Sequence, residues 1–151
     1  MGPGGFSECL RQELEPFNLF VTLIEPGGAR TSFELTAAAV STLNAGGVYG
    51  GAELELGLAY LRRRIQDRED PWQAASEFPF YGNLYAAQAF FQAGDDDFLP
   101  WFEAVRAHLI KDQVRGADGG YWENQRGNEY ATAVAVLILS IPNRYLTIFQ
   151  R

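Results

Sequence analysis

The sequence predicts a mainly α fold of helical hairpins, preceded by a short helix–strand segment. Three observations carry that expectation. From residue 51 onward apolar positions recur at helical spacing, and amphipathic helices alternate with helices that are apolar on nearly every side. Residues 113–122, QVRGADGGYW, make a Gly-rich turn ending in an aromatic pair between two such patterns. Residues 19–24, LFVTLI, are apolar and β-branched, bounded by Asn18 and by Pro26, Gly27 and Gly28, and read as a buried strand.

The bulk numbers fit one ordinary domain. The chain has 151 residues, 47% hydrophobic and 21% charged, enough to bury a core and too apolar for wholesale disorder. A net charge of -7 argues against nucleic acid or an anionic membrane surface as partner, because phosphate neutralisation needs a basic face. The local basic run Arg62, Arg63, Arg64 is expected at the solvated end of a helix, where cations suit the dipole. Cys9 is the one cysteine, which excludes an internal disulfide and a multi-cysteine zinc site. The start lacks the basic and apolar regions of a signal peptide, and residues 131–141 fall short of the about 20 apolar residues that span a bilayer. A soluble, cytoplasmic protein without a membrane span is expected.

In chain order, Phe6, Leu10 and Leu14 form the apolar stripe of a first helix that Pro16 ends, and the strand and Pro-Gly-Gly turn come next. Residues 5–33, GFSECLRQELEPFNLFVTLIEPGGARTSF, resemble a short-chain dehydrogenase/reductase just after its catalytic Tyr-x-x-x-Lys. By that resemblance Pro26, Gly27, Gly28 and Thr31 occupy cofactor-side positions. The Gly-rich dinucleotide fingerprint, the catalytic Ser, and the Tyr and Lys have no counterpart in the chain, so no cofactor is expected.

Residues 33–44 are Ala- and Thr-rich and read as a short helix or a linker. Ala45, Gly46 and Gly47 mark the expected boundary between a truncated segment at 1–45 and a repeat region at 46–151. Leu54, Leu58, Leu61 and Ile65 give one helix its stripe, Trp72 anchors the connection after it, and residues 81–93 make an interior helix stopped by Gly94. Asp95, Asp96 and Asp97 open the next helix, with Pro100 in its first turn. Tyr81-Gly82 and Tyr130-Ala131 open two interior-type helices one two-helix repeat apart, which suggests an α/α array.

Residues 47–151 resemble the prenyltransferase/squalene-oxidase repeat family, the α/α toroid of terpene cyclases and protein prenyltransferase β-subunits. The resemblance is carried by YGNLYAAQAFFQAG, WFEAVRAHLIKDQ, GADGGYW and EYATAVAVLILSIPNRYLTIFQR. It implies a partial α/α toroid in which Gln113, Gly120, Tyr121 and Trp122 match the Gln…Gly-x-Trp signature, whose Gln and Trp tie successive helices together.

The candidates for chemistry are few. Asp95, Asp96 and Asp97 invite comparison with the acid of squalene cyclases, which requires an Asp held neutral in a buried, carboxylate-crowded site. A helix start favours the charged form, and the full Asp-x-Asp-Asp pattern is absent, so capping is the expected role. A prenyltransferase zinc site would need an Asp, a Cys and a His; His108 is the sole histidine and no Cys accompanies it, so no metal is expected. Glu53, Glu55 and Glu129 read as helix N-terminal charges. The aromatics of this half, among them Tyr81, Tyr85, Phe90 and Trp101, are expected to pack the core, with a pocket for a hydrophobic polyisoprenoid as the alternative.

Four array helices cannot close a toroid, and open repeat ends expose apolar surface. The chain is therefore expected to self-associate, to dock on a partner through those ends, or to be a fragment joining a dehydrogenase tail to a toroid tail. The functional expectation is a toroid-class module with a packing, ligand-binding or partner-binding role rather than an enzyme in isolation. Two alternatives stand beside it: a terpenoid-handling enzyme completed by oligomerisation, and a dehydrogenase remnant of NAD(P)-binding ancestry.

Overall fold

The computed structural model describes residues 32–117 and 119–143. The expected first helix and strand, with Pro26, Gly27, Gly28 and Thr31, lie outside the described residues, as does the end of the repeat-like stretch beyond Asn143. The chain divides into two compact units, Met1–Arg30 and Thr31–Arg151, and every described element belongs to the second.

That unit is mainly helical. The first helix, α1 (Phe33–Ala45), starts at Ser32, whose side chain accepts a hydrogen bond from the Leu35 N–H at 3.3 Å. It buries Phe33, Ala37, Val40 and Asn44, a stripe at helical spacing, and ends where the Gly46 N–H bonds back to the Thr42 carbonyl. This is the Ala/Thr-rich stretch expected as a helix or linker. It is a helix, and its apolar face belongs to the core. The composition shift at Ala45, Gly46 and Gly47 marks the turn from α1 into α2 (Ala52–Gln66), inside the compact unit.

In α2 the residues Leu54, Leu58 and Leu61 are buried as their spacing requires, with Glu53 and Glu55 in the first turn and Arg63 and Arg64 in the last. A 3-10 turn, Pro71–Ala74, comes after it and seats Trp72 in the core. Next is α3 (Pro79–Ala93), with Pro79 at its opening, where a missing N–H costs nothing. It buries Phe80, Ala86, Ala87, Ala89, Phe90 and Phe91 around most of its circumference, because it meets α1, α2, α4 and α5.

A sharp reversal at Gly94, with φ of 132°, a region that disfavours side chains, leads into α4 (Asp95–Asp112). Gly94, which has no side chain to cap with, occupies the N-cap position, and the three aspartates fill the first turn behind it. Pro100 accordingly lies beyond the first turn, inside the helix. Its ring removes one backbone hydrogen bond there, on a face where Asp96, Leu99 and Pro100 are open to solvent. Phe98, Trp101, Val105 and Leu109 form the buried stripe of α4.

The Gly-rich turn is a two-stranded antiparallel ribbon, β1 (Val114–Gly116) and β2 (Gly119–Tyr121), pairing Val114 with Tyr121 and Arg115 with Gly120. The last helix, α5 (Asn128–Ser140), buries Ala131, Val134, Ala135 and Ile138, and a 3-10 turn, Ile141–Asn143, closes the described chain. The helices sort by order. α1, α3 and α5 touch in a row, while α2 packs on α1 and α3, and α4 packs on α3 and the 3-10 turn. The row exposes its own ends: Tyr130 and Val136 on α5 are 38% and 52% exposed, and Leu35 on α1 is 60% exposed.

Candidate functional site

The row of odd-numbered helices places three helix starts side by side, and a cleft of about 1020 Å³ opens over them. Its walls come from Ser32, Glu34 and Leu35 at the start of α1, from 76–81 at the start of α3, and from 123–126 and Tyr130 at the start of α5. Phe78, Phe80, Tyr81 and Tyr130 supply the aromatic surface. Phe80 and Tyr130 meet edge to face at 6.4 Å between centroids, and Tyr81 and Tyr85 lie 4.7 Å apart.

Glu34 builds the floor between α1 and α3. Its carboxylate accepts from the N–H groups of Glu77 and Phe78, at 3.0 and 3.4 Å, and thereby holds the chain entering α3 against the start of α1. Burial pushes the Glu34 carboxyl up. The hydrogen bonds from its own N–H, from Glu77, from Ser32 and from Phe78 together outweigh burial and hold it below the usual carboxylate range. The ionised form is therefore structural. Close approach makes this contact feasible: a Cβ at Gly82 would fall 2.7 Å from Glu34 Cγ.

On the other wall, the Asn124 side chain accepts from the Arg126 N–H at 2.9 Å, an Asx turn that aims Arg126 across the opening. The Arg126 guanidinium sits 4.5 Å from the centroid of the Phe78 ring. Burial raises the Tyr81 hydroxyl above the usual phenol range, with Tyr85 and Tyr130 adding to the shift. Burial likewise raises Tyr130, against the opposing charge of Arg126. Both tyrosines are thus neutral hydrogen-bonding phenols at ordinary pH.

A second, smaller cleft of about 460 Å³ adjoins the first across Pro79, Phe80, Glu123 and Asn124. It contains His108, whose Nδ1 lies 2.7 Å from Asp70 and whose Nε2 lies 3.2 Å from Asp112. The Trp72 ring stacks on the imidazole at 4.9 Å. Asp70 also accepts from the Trp72 N–H, so the cluster fastens the 3-10 turn to the last turns of α4. Both ring nitrogens of His108 are engaged by carboxylates, which gives the histidine an anchoring role.

The residues singled out from the sequence are scattered. Asp97 makes a two-point ion pair with Arg62, 2.7 Å from Nε to Oδ1 and 2.6 Å from Nη2 to Oδ2, so Arg62 is the end of a tie between α2 and α4 rather than a freely solvated charge. Asp95, Asp96 and Asp97 come after the far end of α3, one helix length from the cleft, and none lines it. Trp122 is buried; its Nε1–H donates to the Leu109 carbonyl of α4 at 2.8 Å, and its backbone N–H donates to Thr132 of α5 at 3.1 Å. The Gln113 side chain lies over Gly120, where a Cβ would be 2.5 Å from Gln113 Cδ. Tyr121 is half-buried beside it. Among the described residues no group of three or more His, Cys, Asp or Glu could hold a metal ion, and no helix is long and apolar enough to cross a membrane.

Glu34, Glu77, Glu123 and Arg126 were not marked by the sequence. Ser32 two residues before Glu34 is a helix-start pattern that flags Glu34 as a first-turn acid, but its bonds to Glu77 and Phe78 cross more than forty residues of chain. Comparison with family models, with curated proteins and with solved structures gives no match.

Proposed function

We propose that this chain is a helical-hairpin module of the prenyltransferase/squalene cyclase class that binds an apolar ligand or partner segment and performs no reaction by itself. The cleft of about 1020 Å³ over the starts of α1, α3 and α5 carries this reading, because Leu35, Tyr81 and Tyr130 remain open to solvent there at 60%, 37% and 38%. The row of odd helices backed by α2 and α4 supports the α/α arrangement, as does the way Trp122 ties one hairpin arm to the other. The ionisable groups that chemistry would need are engaged elsewhere: Glu34 on backbone amides, Asp97 on Arg62, and His108 on two aspartates.

Nuclear magnetic resonance tests the proposal directly. The ring resonances of Phe78, Tyr81 and Tyr130 are tracked while farnesol, and separately the uncharged apolar peptide GLQFQG, is titrated in. Saturable shifts at these rings with either probe are expected. If neither probe moves them up to millimolar concentration, the binding reading is wrong.

A further inference from the structure

The cleft is acidic as well as aromatic. Glu34, Glu77 and Glu123 line it against the guanidinium of Arg126, in a chain whose net charge is -7. Arg126 makes no ion pair among the described residues; its charge is directed at the Phe78 face at 4.5 Å. The wall therefore already accepts one planar cation from its own chain. Tyr81 and Tyr130 add two further aromatic rings to the lining of the same opening, each residue more than a third exposed. The positive partial charges of the helix starts do not reverse this balance, since Glu34 and Glu129 stand in the first turns of α1 and α5 and Glu34 also takes the amides entering α3.

We infer that the cleft receives a basic segment of a protein partner, an arginine or lysine flanked by apolar residues, with the cation between the Tyr81 and Tyr130 rings and the carboxylates of Glu77 and Glu123 beside it. The inference rests on the binding reading above and adds the chemistry of the occupant. Aromatic faces attract cations through their quadrupole, and nearby carboxylates add direct charge attraction. The volume exceeds that of one side chain, so the apolar neighbours of the cation cover Leu35 and Phe78.

Fluorescence anisotropy with three fluorescein-labelled peptides tests it: basic GLRFRG, uncharged GLQFQG and acidic GLEFEG, each against the full chain at low salt. The basic peptide should bind at least about tenfold tighter than the acidic one, with the gap narrowing at high salt. Changing Glu77→Gln and Glu123→Gln together should weaken GLRFRG about three- to tenfold and leave GLQFQG and the melting temperature unchanged. Equal affinities for the three peptides, or a preference for the acidic one, would overturn the inference while leaving the binding reading standing. No binding by any of the three, with no ring shift by farnesol, would overturn both.

Discussion

The Trp122 indole N–H donates to the carbonyl of Leu109 at 2.8 Å, and both residues are buried, at 4% and 0% exposed. Leu109 sits in the final turn of α4, where carbonyls lack an intrahelical partner, so the indole serves as a cap delivered from across the ribbon. The backbone N–H of the same residue reaches Thr132 in α5. One side chain and one amide thus join the two arms of the hairpin.

Two substitutions separate these contributions. Trp122→Phe keeps an aromatic body and loses the donor, and should cost about 1–2 kcal/mol. Trp122→Ala also opens a cavity, and should cost about 3–5 kcal/mol. Urea unfolding measures both, and hydrogen exchange should show faster opening in α5 than in α1 for either variant. Equal protection loss across all helices would mean that Trp122 is ordinary core and not a local tie.

Much of the helical framework was legible because it rests on local periodicity. Leu54, Leu58 and Leu61 announced α2, and the apolar circumference of α3 announced a helix surrounded by neighbours. The ribbon was harder to read. Gly116, Gly119 and Gly120 specify a turn by themselves, but neither the pairing of the flanking residues nor the seat of the Gln113 side chain over Gly120 follows from local composition. The site was hardest, since Glu34 with Glu77, Asp70 with His108, and Arg126 with Phe78 are each brought together by helix packing across long sequence separations. Arg62 shows the same limit: it looks like a solvated helix end until α4 supplies Asp97.

The ion pair of Arg62 with Asp97 should distinguish the three aspartates. Arg62 is 38% exposed in its side chain and Asp97 18%, so solvent screens the pair even though its geometry is two-pointed. Asp97→Asn should lower stability by about 0.5–1 kcal/mol, and the loss should shrink in molar salt. Asp96→Asn, at an exposed position, should stay within about 0.5 kcal/mol. Double-mutant analysis with Arg62→Met measures the coupling; a value of zero would show the pair to be ornamental.

Glu34 sets an acid-side signature. Its folded carboxyl lies below the usual range, so the unfolded chain takes up the proton first as pH falls. The stabilisation is fully present above the ordinary carboxylate value of about 4.3 and is lost as pH falls through the lower folded value. Glu34→Gln should therefore cost about 1 kcal/mol near neutrality, and the gap to the parent chain should close on acidification. Thermal melts from pH 7 down to pH 2 measure it. A gap that stayed constant across the range would show that the contact does not depend on the carboxylate charge.

Gly82 poses a contest between two effects of opposite sign. In an exposed helix interior, Gly→Ala gains about 1 kcal/mol through helix propensity. At Gly82 the added methyl would lie 2.6 Å from Ala75 Cβ and 2.7 Å from Glu34 Cγ. Ala75 Cβ is fixed to its backbone and cannot swing aside, so α3 must move away from both neighbours. Overpacking of that kind costs about 1–3 kcal/mol, which exceeds the propensity gain. The displacement also bears on the cleft, because Glu34 holds the amides of Glu77 and Phe78. Gly82→Ala should lower the melting temperature and change the ring resonances of Phe78 and Tyr81 together. A variant more stable than the parent would show that the start of α3 is looser than this packing requires.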